Sequence, residues 1–124
     1  ICPSNPVVSV GPILAVPGVR EALASFRGLR VAVSPIVGGE ALKGPAAKMM
    51  SELGEQVSCA GVARRYQGLC DVLVIDKQDA HEMTEVSALG IRPIVMDTIM
   101  GSEKKKERLA RDLVALTTKW HADS

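Results

Sequence analysis

Aromatic side chains are nearly missing from this chain: Phe26, Tyr66 and Trp120 make up 2% of the sequence. Three scattered rings build no platform on which bases could stack. An excess of either charge is missing too. With 15 basic and 14 acidic residues the net charge is +1, so no long-range field draws the chain to nucleic acid or to an anionic membrane. Cysteine is sparse and unpaired in pattern. Cys2, Cys59 and Cys70 form no CxxC step, and an odd count suggests no disulfide framework. Cys2 and Cys59 are expected to be small buried apolar residues. His81 and His121 have no neighbouring ligand set, so no zinc site is expected. Long apolar runs are absent as well. The stretch from Val7 to Val19 is broken by Gly11, Pro12, Pro17 and Gly18, and it reads as neither a membrane span nor a signal peptide. Nucleic-acid and membrane partners are excluded by these absences, and a cytoplasmic, reducing location is the expectation.

What is present is aliphatic. Hydrophobic residues are 47% of 124, enough for one domain with a core of Val, Ile, Leu, Ala and Met. Short helical pieces are predicted from Ser9 to Leu14 and Val19 to Phe26, with Gly28 as a stop. Arg30 to Ser34 is a β-branched run and predicts a buried strand. Pro35 to Gly39 reads as a loop with two glycines. Pro45 opens a helix that Gly54 closes, and Ser58 caps another ending near Tyr66. Asp71 to Ile75 is the clearest strand, with Asp76 just past it. Asp79 and Glu82 stand at capping-box spacing before Met83, Val86 and Leu89, which share a helix face closed by Gly90. Ile91 to Met96 is a third strand. The last helix, from Ser102 towards Trp120, carries the stripe Leu109, Leu113, Leu116, Trp120. Lys104, Lys105 and Lys106 in its first turn read as a solvated face.

Strands alternating with helices predict an α/β fold: a Rossmann-like three-layer sandwich, mainly parallel, with helices on both faces of the sheet. Ligands of such sheets collect at the carboxyl ends of the strands. Four segments should meet there: Pro3 to Asn5, Ser34 to Gly39, Asp76, and Asp97-Thr98. Each candidate has two readings. Pro3, Ser4 and Asn5 form a rigid loop that either holds a polar ligand or is a turn in which Asn bonds its own backbone. Ser9 either assists that ligand or caps a helix. Gly38, Gly39, Lys43 and Gly44 either bring backbone amides and a point charge to a phosphate or make a flexible connection. Asp76, Asp97 and Thr98 either take a cation or a ligand hydroxyl or form ordinary caps and turns.

Three segments together resemble a known family. They are Cys2-Pro3-Ser4-Asn5-Pro6 with Ser9 and Gly11-Pro12-Ile13-Leu14; Ala32-Val33-Ser34-Pro35-Ile36-Val37-Gly38-Gly39 with Lys43-Gly44-Pro45-Ala46; and Asp71-Val72-Leu73-Val74-Ile75-Asp76 with Asp97-Thr98-Ile99-Met100. In this order and spacing they resemble the carboxyl-terminal part of the CofD family, the 2-phospho-L-lactate transferases. Composition leans towards the actinobacterial, FbiA-like phosphoenolpyruvate transferases. The resemblance covers essentially the whole chain, so residues 1–124 are expected to be the carboxyl-terminal part of a CofD-like domain, without the amino-terminal phosphate-loop half.

The resemblance implies a reaction. The family transfers phospholactate or phosphoenolpyruvate, activated as its guanosine diphosphate derivative, to the ribityl hydroxyl of the deazaflavin Fo and releases GMP. It implies magnesium, with ligands expected in the other half, and a possible homodimer. It points Pro3, Ser4, Asn5, Ser9, Gly38, Gly39, Lys43, Gly44 and Thr98 at the guanine nucleotide, and implies that the chain alone does not turn over. The alternative is a CofD-like regulatory module that binds a sugar nucleotide without catalysis. The opening loop of that branch is a Gly-Ser-rich turn, unlike the one here.

Overall fold

The computed structural model describes residues 1–123. After an extended loop, a single π-helical turn at Pro6–Val10 runs into α1 (Gly11–Ala15), and α2 (Val19–Ser25) follows. Then come β1 (Val31–Val33), a hairpin of β2 (Ile36–Val37) and β3 (Glu40–Ala41), α3 (Ala46–Glu52) and α4 (Cys59–Arg65). β4 (Val72–Asp76) leads through a 3-10 turn at Lys77–Glu82 into α5 (Met83–Ala88). β5 (Arg92–Met96) and the long α6 (Glu103–Asp123) complete the chain.

β1, β4 and β5 pair in parallel in the order β1-β4-β5, with Ala32 opposite Leu73 and Val74 opposite Ile94. Side chains alternate across the sheet, and the two sets feed different layers. Ala32, Leu73 and Ile75 face the main core with Met50, Val62, Tyr66 and Val86. Val33, Val72 and Val74 face the other way, against Leu113, Leu116 and Trp120 of α6. The expected three-layer α/β architecture is therefore present. Arg92 at the start of β5 lies over the Trp120 ring, 5.2 Å from its centroid, a cation–π contact that ties α6 to the sheet.

Ile1 adds to the far edge of β1. Its amino group donates to the Val31 carbonyl at 2.6 Å and its carbonyl accepts from the Val33 amide at 3.1 Å, which is the parallel bonding pattern. The following loop thus leaves at the same sheet end as the loops after β1, β4 and β5.

Several local expectations change. Pro6 does not stay in a loop; it takes the first position of the π turn, where a missing N–H costs nothing, and Asn5 caps it. α2 spans Val19–Ser25 with Phe26 as its C-cap, close to the expected Val19 to Phe26, so Gly28 lies beyond the cap. Pro35 to Gly39 is a hairpin rather than a loop. Gly38 and Gly39 form its two-residue turn with φ of 60° and 80°, left-handed values that glycine adopts without strain. Asp79 is not a helix cap: its carboxylate accepts the Gly38 amide at 3.1 Å, 41 residues away in sequence, and α5 begins without a side-chain cap. Asp76, the last residue of β4, caps the 3-10 turn instead. Cys59 is buried as expected, but Cys2 is exposed, since it lies in the loop beyond the sheet edge.

Arg30 and Asp71 lock the amino-terminal ends of β1 and β4. The guanidinium meets the carboxylate at 2.7 and 3.1 Å, the Arg30 amide adds a bond at 2.8 Å, and Arg30 also reaches the carbonyls of Leu23 and Gly68. The Arg30 hydrogen bond holds the Asp71 carboxyl below its ordinary 3.8. A depressed folded-state value stabilises above the unfolded value and is lost as pH falls through the folded one. Urea unfolding of wild type and Asp71→Asn should therefore differ near neutrality and converge on acidification below about pH 4. A gap that stays constant into acid would contradict this.

Candidate functional site

A cavity of about 660 Å³ opens where the strand-end loops converge, a volume within the range of small-ligand sites. One wall is Pro3, Ser4 and Asn5 with Val8 and Ser9 of the π turn. A second is Pro35 after β1 and Leu42 to Ala46, the connection from the hairpin to α3. The third is Ile99 to Gly101 after β5, with Lys106 from α6.

Asn5 builds the first wall. Its Oδ1 accepts the amides of Val7 and Val8 at 2.9 and 3.2 Å, and its Nδ2 touches Met49 Sδ at 3.5 Å. The side-chain oxygen is thus engaged in capping, which fixes the loop. Ser4 and Ser9 show no side-chain hydrogen bond to other described residues, so their hydroxyls are open to a ligand. In the second wall, Gly44 has φ of 71°, and a Cβ there would meet nothing within 4 Å; its backbone is accessible. Lys43 is exposed beside it.

Gly38, Gly39 and Thr98 do not line the cavity. The two glycines form the hairpin turn, and Thr98 is buried, donating its amide and hydroxyl to Asp76 Oδ1 at 2.9 and 3.1 Å. Thr98 acts one step back, because it anchors the chain just before Ile99. Asp97 is held by Arg108 at 2.6 Å, by Lys77 at 3.8 Å and by the Ile99 amide. Six of the nine sequence candidates therefore share one cavity: Pro3, Ser4, Asn5, Ser9, Lys43 and Gly44.

Pro35 belongs to the Ser34 to Gly39 segment expected here, whereas sequence reasoning missed Ile99 to Gly101 and Lys106 as lining residues. The only signal for Lys106 was its awkward place, a cation in a helix's first turn. Among the described residues Lys43 and Lys106 are the charged residues of the cavity lining, and no carboxylate is among them. That donor set does not fit magnesium, a hard cation that takes carboxylate oxygens. One metal-capable group exists among the described residues, Cys59, Asp79 and Glu82, with ligand atoms within 4.8 Å of one another, but none of the three lines the cavity. Burial, then the neighbouring Glu82 and Asp79, pushes the Cys59 thiol up, away from the nucleophilic thiolate.

Among the described residues no single helix is long and apolar enough to cross a membrane; Pro6–Ala15 and Val19–Ser25 reach that length and composition only together, with a 90° bend.

Similar proteins carry two names. The 2-phospho-L-lactate transferase of Methanosarcina acetivorans is 44% identical over 116 residues, covering 94% of this chain and 37% of that protein. The phosphoenolpyruvate transferase of Streptomyces griseus is 43% identical over 115 residues, covering 92% and 36%. The 2-phospho-L-lactate transferase of Methanocaldococcus jannaschii is 40% identical over 114 residues, covering 92% and 35%. The chain thus spans a little over a third of the length of these curated relatives. Residues 1–115 match the family described as 2-phospho-L-lactate transferase CofD, and at this coverage and identity the chain belongs to that family.

Proposed function

We propose that this chain is part of a transferase that moves a phospho-three-carbon acid, phospholactate or phosphoenolpyruvate, from its guanosine diphosphate-activated form to the ribityl hydroxyl of deazaflavin Fo. The observation that carries this reading is the cavity at the strand ends, built from the segments that resemble the family and charged only by lysines. In the reaction the acceptor oxygen bonds to the phosphorus that bears the acid, the bond from that phosphorus to the bridging oxygen breaks so that GMP departs with that oxygen, and the hydroxyl proton passes to solvent water. Negative charge stays on phosphoryl oxygens throughout, so the work is positioning and electrostatic stabilisation. Ser4 and Ser9 offer donors, Asn5 holds their loop in shape, and Lys43 faces the phosphoryl oxygens. Magnesium, implied by the family, has no carboxylates to bind in this cavity, so its ligands belong to a different part of the intact enzyme. That enzyme is a cytoplasmic homodimer in this reading, and the chain alone does not turn over.

An amide-shift titration with GDP, with UDP as control, tests the site. Saturable shifts over Pro3 to Ser9 and at Lys43 and Gly44 with GDP alone are expected, and Ser4→Ala should weaken them several-fold. Shifts with UDP alone would favour a sugar-nucleotide module instead. A folded chain that responds to neither nucleotide would remove the cavity from donor binding.

A further inference from the structure

Lys106 looks in the sequence like one of three equivalent lysines, Lys104 to Lys106, and the fold makes it different. All three are exposed, but Lys106 alone of them lines the large cavity. It also lines a second space of about 260 Å³, an apolar groove between β1 and α6 whose walls include Ile1, Val31 and Leu113. Pro3, Met100 and Lys106 are common to both, so Lys106 stands at their junction. Its ion pair is with Glu103, one turn back on the same helix at 3.0 Å and largely exposed. Such a pair holds little and yields readily to a better-placed anion.

Its position conflicts with its own helix. Ser102 caps α6, its hydroxyl accepting the Lys105 amide at 3.2 Å, so the lysines fill the turn where the helix dipole repels cations. Local conflicts of this kind concentrate at functional sites. An anion in the cavity would give the ammonium the favourable partner that its own helix end does not. Lys43, from the loop before α3, has no ion pair among the described residues, and none of the described carboxylates lines the cavity.

We infer that Lys106 is a specificity-determining residue of this cavity: with Lys43 it clamps the multiply charged phosphoryl portion of the ligand, selecting phosphorylated anions over neutral nucleosides. The inference rests on the donor site proposed above and deepens it.

Calorimetric titration of the chain with inorganic pyrophosphate tests it, using wild type, Lys106→Gln, Lys106→Arg, Lys43→Gln and the exposed control Lys105→Gln. Lys106→Gln and Lys43→Gln should each weaken binding about tenfold. Lys106→Arg should retain most of it, and Lys105→Gln should stay within about twofold of wild type. Wild-type affinity in Lys106→Gln, or no pyrophosphate binding by folded wild type, overturns the clamp. GDP competition separates the two readings. If Lys106→Gln loses pyrophosphate but GDP fails to displace pyrophosphate from wild type, the clamp stands and the donor-site reading falls.

Discussion

Replacing Asp76 by Ala should destabilise the chain by about 3–5 kcal/mol, a large fraction of the stability of a domain this size. The carboxylate is fully buried at the end of β4. It accepts the Thr98 amide at 2.9 Å, the Thr98 hydroxyl at 3.1 Å and the Gln78 amide at 3.0 Å. Ala leaves both Thr98 donors buried and unsatisfied, each costing about 1–3 kcal/mol, and a void adds to that. Asp76→Asn keeps the volume and one acceptor oxygen while turning an amide towards the donors, so it should fall between. Urea unfolding of the three proteins measures the series. A loss under about 1 kcal/mol for Asp76→Ala would show that water satisfies Thr98 and that the hub is dispensable. The effect reaches the cavity as well. Thr98 fixes the start of the Ile99 to Gly101 wall, so Asp76→Asn, where it remains folded, should weaken the GDP response without touching a lining residue.

The second large effect runs against helix propensity. Gly61 lies inside α4, where Ala is the better helix former by about 1 kcal/mol. The fold leaves no room for it. A Cβ at Gly61 would stand 1.9 Å from the Gln56 carbonyl oxygen and 3.1 Å from Met50 Cε. Met50 can swing away; a backbone carbonyl cannot without moving the segment that leads into Ser58 and its cap on the Gly61 amide at 3.0 Å. Gly61→Ala should therefore lose about 3 kcal/mol or more, at the upper end of overpacking. Thermal unfolding beside Ala63→Gly, a buried helical position expected to lose about 1 kcal/mol from propensity alone, gives the comparison. A Gly61→Ala protein as stable as wild type would mean that the Gln56 segment moves freely.

The strands were legible because their signal is local. Val72 to Ile75 is an unbroken β-branched and aliphatic run, and a strand buried on both faces requires that composition. The α6 stripe was legible for the same kind of reason: Leu109, Leu113, Leu116 and Trp120 recur at helical spacing, and all four are at least partly buried. Ser58 capped α4 as its position predicted. The hairpin was not legible, because two-residue strands around Gly38-Gly39 show no period. The Asp79 capping box failed because a backbone amide from Gly38 competes for the carboxylate, and no spacing rule sees a partner so far away.

The candidate site divides in the same way. Residue types and order along the chain determined the α/β class, the family, and the loops at the strand ends that carry polar and glycine-rich segments. Those follow from local backbone preference and hydrophobic periodicity, which act over a few residues. Only the tertiary structure decided which candidates meet: that Lys43 and Gly44 face Ser4 and Ser9 in one cavity while Gly38, Gly39 and Thr98 serve turns and anchors, and that Lys106 joins from another element. Those outcomes depend on where distant segments pack, and a side chain's role is set by the neighbours that packing brings to it.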